Sequence, residues 1–530
     1  MSGGKKPSVA QVFQGQSVLV SGATGFVGKV LLEKLLRCCP GVGRIYLIVR
    51  PKRGNSLKER VKDLLENTFF DRCRSERGSI NWCCGSAEVA ATEDDKKGPL
   101  VVAIHGDVSE KGLGLDEKDR THLELHVTYV IHSAATVRFN ESLRQAVFLN
   151  VRGTREMLEL ASRMPLLKAF VHVSTAYAHV SNHNSTIEER FYSVPAEPEV
   201  VIKAAEEMEE DEFEEVSKKI AETYHNTYLC TKALAERMIE KDYSHLPVCV
   251  YRPGIVLAVH KSPVPGYAER NQGPAIVISS CACGMFGNVY CAGEVKPEIV
   301  PVDHVVNAVM VIIWSMITDR SNKTVNGVKN DIRIYNHVSS KHSDLTWTKF
   351  RLTTNDSLRS CPETNWLSEM EFTSSYMSYE FSSYLRYVFS KLMDVLNHMR
   401  GEKSTVAEVH QKAKNGLDTL CYFMVNQFKF SDDGLRTLRE RFLKEASGDG
   451  SGYTLSEFDF DITAVEWRSY VRCYADTIRD DLMTYFGDKV KTSLQNARRF
   501  KAIEKSLKLS GFILSSVGIY YLGLYLDWML

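Results

Sequence analysis

The chain has 530 residues, of which 44% are hydrophobic and 25% charged, a globular balance that excludes a disordered chain. Its 66 basic and 66 acidic residues cancel, so charge provides no reason to expect nucleic acid as a partner. The length exceeds what one hydrophobic core usually supports and calls for at least two domains.

Residues 1–15 form a polar N-terminal segment without the apolar stretch of a signal peptide. Residues 16–349 alternate short apolar strands with helical patterns, predicting an α/β fold built on a doubly wound parallel Rossmann-type sheet. Ser17–Val20 reads as the first strand, followed by a glycine-rich turn and a helix over Lys29–Arg37. Ile45–Val49, Leu100–Ile104, Val127–Ile131, Ala169–Val173 and Val248–Tyr251 continue the series, each apolar and β-branched as strands buried on both faces are. Two polar stretches interrupt it. Residues 71–98 read as a surface insertion, and the acidic run 186–222 reads as a solvated face with room for a lid role between two catalytic candidates.

Past residue 350 glycine thins and helical periodicity takes over, at Tyr384–Met399, Val406–Phe428 and Ala464–Tyr485, predicting a smaller helical domain over 350–490. A basic linker, 491–508, carries Arg498, Arg499, Lys501, Lys505 and Lys508. The run Leu509–Leu526 holds no charged residue, and about 18 such residues as helix cross most of a ~30 Å hydrocarbon core. Residues 509–530 therefore read as a C-terminal transmembrane helix with its basic flank on the cytoplasmic side. A buried or interfacial helix is the competing reading, since Ser, Gly and Tyr dilute the run. The thirteen cysteines are odd in number and lack any Cys-x-x-Cys pair, which suits reduced thiols in a cytosol-facing protein. Cys281, Cys283 and Cys291 do not have the usual spacing of zinc ligands, and no metal is expected.

Three groups of residues carry chemistry. Gly22, Gly25 and Gly28 stand in a G-x-x-G-x-x-G turn between the first strand and its helix. In that context the first makes the tight turn, the second lets backbone approach a pyrophosphate, and the third permits close helix–strand packing. The second strand ends Arg50-Pro51-Lys52-Arg53, cations where an NAD site would place an acid, so NADPH is expected over NADH. Tyr228 and Lys232, four residues apart, share one helix face. An ammonium there can lower the phenol's pKa and hold the nicotinamide ribose, leaving tyrosine to donate the proton in hydride transfer. Tyr387/Lys391 and Tyr485/Lys489 repeat the spacing in the helical region and are taken as structural. Thr175, with Ser174 as second choice, ends a buried strand, where a hydroxyl can bond a substrate carbonyl.

Together these residues resemble the extended short-chain dehydrogenase/reductases. Gly106–Leu115, Val173–Tyr177, Thr231–Glu236 and Ile299–Val306 look, more narrowly, like the alcohol-forming fatty acyl-CoA reductases, and Phe430–Phe442 with Phe458–Asp461 and Trp467 resembles that family's male-sterility domain. The resemblance implies that Thr24, Gly25, Phe26, Val27 and Gly28 cradle the dinucleotide phosphates. It implies further that Arg50 and Arg53 meet the 2′-phosphate, that Asp107 and Val108 flank adenine, and that Pro253, Gly254 and Ile255 border the nicotinamide. Asn150 takes the place of the family's structural and proton-relay asparagine, and Thr175, Tyr228 and Lys232 form the catalytic set. One stretch departs: the family's Pro-Gly-Trp-x-Asp-Asn-x-x-Gly-Pro reads here from Pro265 to Pro274 with Tyr267, Glu269 and Arg270.

The expected activity is NADPH-dependent reduction of a long-chain acyl-CoA to a primary alcohol through an enzyme-bound aldehyde, at an endoplasmic reticulum or peroxisome membrane. Two other readings stay open: a membrane-bound sterol or sugar-nucleotide dehydrogenase of the same superfamily, and a catalytically silent NADP-binding scaffold.

Overall fold

Short β-branched runs that are apolar on both faces can only be satisfied inside a layered fold, and the computed structural model shows how. It describes residues 6–50, 55–90, 100–139, 141–182, 185–221, 223–269, 273–283, 285–286, 288–319, 332–360, 369–399, 401, 405–446 and 455–484. Eight strands form one sheet: β1 (Val18–Ser21), β2 (Ile45–Val49), β3 (Trp82–Cys84), β4 (Val101–His105), β5 (Tyr129–His132), β6 (Ala169–Val173), β7 (Val248–Pro253) and β8 (Arg333–His337). Their order across the sheet is β8-β7-β6-β5-β1-β2-β4-β3, and every pairing is parallel. β1 lies between β2 and β5, with Ser21 in register with both Ile48 and His132. The winding reverses there, and doubly wound sheets bind ligands beyond the carboxyl ends of the strands at that switch.

Five helices carry the functional features of the chain: α1 (Phe26–Cys38), α2 (Leu57–Leu65), α3 (Thr227–Asp242), α4 (Val302–Thr318) and α5 (Tyr376–Met399). α1 starts at the glycine turn, three residues earlier than the periodicity suggested. A capping box sets the start of α2: Ser56 accepts from the Glu59 amide while Glu59 reaches back to the Ser56 amide. α4 is apolar throughout its middle and buries Trp314 completely.

The contacts divide the chain into two units that differ from the expected linear order. One comprises Met1–Tyr267, Glu298–Asp344 and Phe428–Val465; the other comprises Ala268–Pro297, Leu345–Gln427 and Glu466–Leu530. The segment expected in the helical domain, Phe428–Val465, belongs with the sheet. Ile187 and Phe430 form a parallel bridge, the Trp314 and Phe442 rings meet edge-on at 5.2 Å, and Asn307 donates to the Asp459 carbonyl at 2.7 Å. Such long-range pairings leave no local periodicity to read.

Two stretches expected to be polar surface carry structure. Residues 71–98 include a helix, Asp71–Arg77, and the edge strand β3, which pairs with β4. The acidic run forms two helices, Pro198–Glu207 and Glu210–Ala221. Two of its carboxylates meet basic partners, Glu206 with Lys111 and Arg152 at 3.0 Å and Glu210 with Arg144 at 2.9 Å, while Glu207, Glu209, Asp211, Glu212, Glu214 and Glu215 are exposed, the solvated face that was expected. Among the described residues no helix is long and apolar enough to cross a membrane. The expected anchor at 509–530 and the linker before it lie outside the described residues.

Candidate active site

The turn after β1 is shaped by glycine where nothing larger fits. Gly22 has φ +78°, and a Cβ there would stand 2.7 Å from the Ala134 amide nitrogen. A Cβ on Gly28 would sit 2.2 Å from the Gly22 carbonyl oxygen, so α1 packs against the turn backbone to backbone. Gly25 caps α1 without a side-chain bond, and no acidic residue lies in the first turn. The N–H groups and positive dipole of that turn therefore fit a pyrophosphate. Phe26 is buried and Val27 half-buried at the same corner.

At the carboxyl end of β2, Arg50 is exposed, with its guanidinium 3.8 Å from Asp107. Arg60, from α2, donates to the Arg50 carbonyl and approaches Thr24 Oγ1 at 3.4 Å. Burial and the Arg50 charge both press the Arg60 pKa downward, as expected for a half-buried cation beside another cation. Arg53 lies outside the described residues. Arg60 was not among the residues the sequence pointed to, although its signal was there: a basic residue on the first helix after β2, with its register set by the capping box. Asp107 Oδ1 accepts from the amide and hydroxyl of Ser109 at 2.9 and 2.8 Å. A Cβ on Gly153 would come 2.6 Å from the Val108 carbonyl oxygen, so Gly153 lets the next helix close on the Asp107–Val108 turn.

β6 delivers Ser174 and Thr175, and α3 delivers Tyr228 and Lys232. Tyr228 and Thr175 hydrogen-bond through their side chains, and burial pushes the Tyr228 phenol up to about 12 against that bond. Phe139 packs 5.7 Å from the Tyr228 ring. Lys232 is buried, donates to the Val173 carbonyl at 2.8 Å, and has its pKa lowered by burial to about 8. The expectation that its ammonium lowers the phenol is thus not met: Lys232 braces the end of β6, and desolvation dominates at Tyr228. Ser174, the second-choice hydroxyl, faces the interior and donates to Glu236 at 2.5 Å.

Glu236 is the more consequential residue that the sequence did not single out. Fully buried, it also accepts from His179 Nε2 at 2.9 Å and from Arg252 Nε and Nη2 at 2.9 and 2.5 Å. Despite burial, Arg252 and His179 hold its carboxyl below the ordinary range. Arg252, itself fully buried, donates onward to the carbonyls of Glu188 and Arg190. One helical turn past Lys232 on the same face, Glu236 carried the same spacing signal as the Tyr/Lys pair. Asn150 lies in a π-helical stretch, Val147–Arg152. Its amide accepts from Thr136 N at 2.9 Å and donates to the Thr136 carbonyl and to Thr231 Oγ1, tying the segment after β5 to α3.

Pro253 ends β7, and the Gly254 amide donates to the His337 carbonyl at 2.9 Å. A Cβ on Gly254 would lie 2.3 Å from the Glu298 carbonyl oxygen, and Ile255 donates to that same oxygen at 2.6 Å. In the departing 265–274 stretch, Tyr267 packs 6.2 Å from Phe26 and 4.4 Å from Phe69, and its hydroxyl accepts from Lys29 at 2.9 Å. The residue that replaces the family's tryptophan therefore buttresses α1 at the glycine turn. Residues 270–272 lie outside the described residues.

Two family models match, both described as male sterility protein, over residues 20–309 and 385–484. The chain is 30% identical to the Drosophila melanogaster protein named fatty acyl-CoA reductase wat, over 98% of this chain and 94% of that relative. It is also 30% identical to fatty acyl-CoA reductase 1 of Rattus norvegicus, over 88% of this chain and 84% of the relative. Among solved structures, the reductase domain of a nonribosomal peptide synthetase from Mycobacterium tuberculosis superposes with a TM-score of 0.53 at 17% identity, covering 90% and 94% of the two chains. That likeness is one of fold.

Proposed function

The chain belongs to the fatty acyl-CoA reductase family, also described as male sterility proteins, and from that membership we propose that it reduces a long-chain fatty acyl-CoA to the primary alcohol using NADPH. The observation that carries this reading is the bonded pair of hydroxyls, Thr175 and Tyr228, at the carboxyl end of β6 with Lys232 behind them. A bound nicotinamide supplies hydride to the acyl carbon. The chain's own residues do the rest. Tyr228, accepting from Thr175, directs its own hydroxyl hydrogen at the thioester oxygen as that oxygen gains negative charge, the kind of preorganised stabilisation that dominates acyl chemistry. Collapse of the tetrahedral adduct breaks the C–S bond and expels CoA as thiolate, leaving an aldehyde. A second hydride then reaches the carbonyl carbon while Tyr228 gives its proton to the oxygen. A phenol raised to about 12 is protonated at neutral pH, which suits a donor. Lys232 and Asn150 act as positioning residues for β6 and α3 respectively.

The choice of NADPH over NADH rests on Arg50 and Arg60, two cations at one strand end whose mutual repulsion an anionic 2′-phosphate would relieve. Residues 509–530 are proposed as a membrane anchor at the endoplasmic reticulum or peroxisome with the catalytic unit facing the cytosol, on the strength of the uncharged run and its basic flank. The reading is tested with detergent-solubilised protein, NADPH and a panel of acyl-CoAs. Fatty alcohol with two NADPH consumed per CoA released is the expected product. Turnover of a hydroxysteroid or sugar nucleotide instead, or tight NADPH binding without product on any acyl-CoA, would contradict it.

A further inference from the structure

Most amphipathic helices on a water-soluble protein bury their apolar side. α5 does the reverse. Its buried face is made of Tyr379, Ser382, Ser383, Arg386 and Ser390, while Met377, Phe381, Tyr384, Val388, Leu392 and Val395 are 47% to 78% exposed. At 3.6 residues per turn the two sets fall on opposite sides of the helix, and the apolar row runs most of its length of about 36 Å.

The polar face is occupied by the neighbouring helix, Val406–Val425. Tyr379 donates to Asp418 at 2.5 Å, Glu380 pairs with Lys414 at 3.0 Å, and Asp394 accepts from the amides of Val406 and Ala407 at 2.8 and 3.0 Å. Small serines let the two helices approach closely, as they do between helices packed in lipid. The acidic groups on the flank of α5 are thus engaged within the protein. Lys391, exposed and lying over the Tyr387 ring at 5.6 Å, leaves a cation beside the apolar row.

From this inverted arrangement we infer that α5 is a lipid-contacting helix, lying flat in the bilayer interface with Met377, Phe381, Tyr384, Val388, Leu392 and Val395 among the acyl chains and Lys391 among anionic headgroups. An apolar face, aromatic side chains and a basic flank are the features of interfacial helices. Arg386, Lys391 and Asp394 within its length are incompatible with a spanning helix. The proposed C-terminal anchor contributes only the tether that keeps the helix near the surface. That tether would raise its effective concentration there enough for a modest affinity to suffice.

The full-length chain is reconstituted into phosphatidylcholine–phosphatidylserine vesicles containing a phosphatidylcholine with a photoreactive diazirine in its acyl chain, irradiated and mapped by mass spectrometry. Adducts on the outward residues of 376–399, several-fold above those on the exposed Glu408, Gln411 and Lys412 of the next helix, are expected. The triple variant Phe381→Gln, Val388→Gln, Leu392→Gln, altered only at exposed positions, should lose them while keeping any adducts at 509–526. Adducts at 509–526 with none on 376–399 would overturn the inference and leave the anchor standing. Adducts on 376–399 alone would support the inference and remove the anchor. No adducts on 376–399 together with deuterium-exchange protection there that is equal in vesicles and detergent would assign the face to a protein partner, a second copy or the chain's own C-terminal run, and would likewise overturn it.

Discussion

Replacing Glu236 with glutamine removes the carboxylate that pairs with the buried Arg252 guanidinium while keeping the side chain's shape. Removing one member of a buried pair typically costs ~3–5 kcal/mol, because the remaining charge stays desolvated. Ser174 and His179 lose a charged acceptor in the same step. The expected loss for Glu236→Gln is therefore at the upper part of that range, seen as a urea midpoint lower by about 1–2 M with an unchanged slope. The pH dependence follows from the direction of the shift. The Glu236 pKa is held below its ordinary value of 4.5 in the fold, so its stabilisation is complete above that value and is lost as pH falls through the depressed one. Parent and variant should then differ by a constant amount around neutrality and converge in acid. The double variant Glu236→Leu, Arg252→Met should cost less than the two single changes summed, by roughly 0.5–3 kcal/mol, since neither charge is stranded. A Glu236→Gln protein within about 0.5 kcal/mol of the parent, the ordinary scatter for surface changes, would refute the reading of a paired buried carboxylate.

Arg60→Ala and Arg50→Ala should each weaken NADPH binding by about 10- to 100-fold, the value of one charge-assisted bond, and leave NADH binding nearly unchanged; fluorescence titration with both cofactors checks this. Lys232 should give two opposite pH trends. Its pKa is lowered from 10.5 to about 8, so the cost of burying its charge fades as pH rises from about 8 toward 10.5 and stability increases, whereas turnover, which uses the ammonium, falls through the same window. Melting curves and initial rates on one sample series separate the two, and parallel trends would contradict the assignment. Lys232→Arg should not restore turnover, because the fork of a guanidinium cannot replace a single ammonium bonded to the Val173 carbonyl.

Much of this site is written in local patterns. β1, β2 and β4 to β7 appear as short apolar runs because each is buried on both faces, and the glycine turn, Thr175, Tyr228 and Lys232 follow from what sits at strand ends and on one helix face. What stayed hidden depends on partners far away in the chain. β3 is three residues long and pairs only because β4 offers a free edge. The choice between Ser174 and Thr175 turns on Glu236, 62 residues away from Ser174, which draws the serine hydroxyl inward. Phe428–Val465 falls inside the 350–490 helical domain through its place in the chain and the male-sterility resemblance of Phe430–Phe442, yet its aromatic side chains pack in the unit that holds the sheet: Tyr177 meets Phe428 and Phe430 edge-on at 5.6 and 5.7 Å. The acidic run is solvated as it reads, with Glu207, Glu209, Asp211, Glu212, Glu214 and Glu215 exposed, but the pairing of its Glu206 and Glu210 stayed hidden because Lys111, Arg144 and Arg152 lie in other segments.

Tyr228 as proton donor is tested most directly on the second half-reaction, where a long-chain aldehyde is converted to alcohol without CoA chemistry. Parent protein and Tyr228→Phe would be given saturating NADPH and the aldehyde near pH 7, with alcohol measured by mass. A donor role requires the variant to bind NADPH as the parent does and to turn over about 10²- to 10⁴-fold more slowly, the range for loss of a general acid. A variant within a few-fold of the parent rate, with cofactor binding intact, would remove Tyr228 from the mechanism.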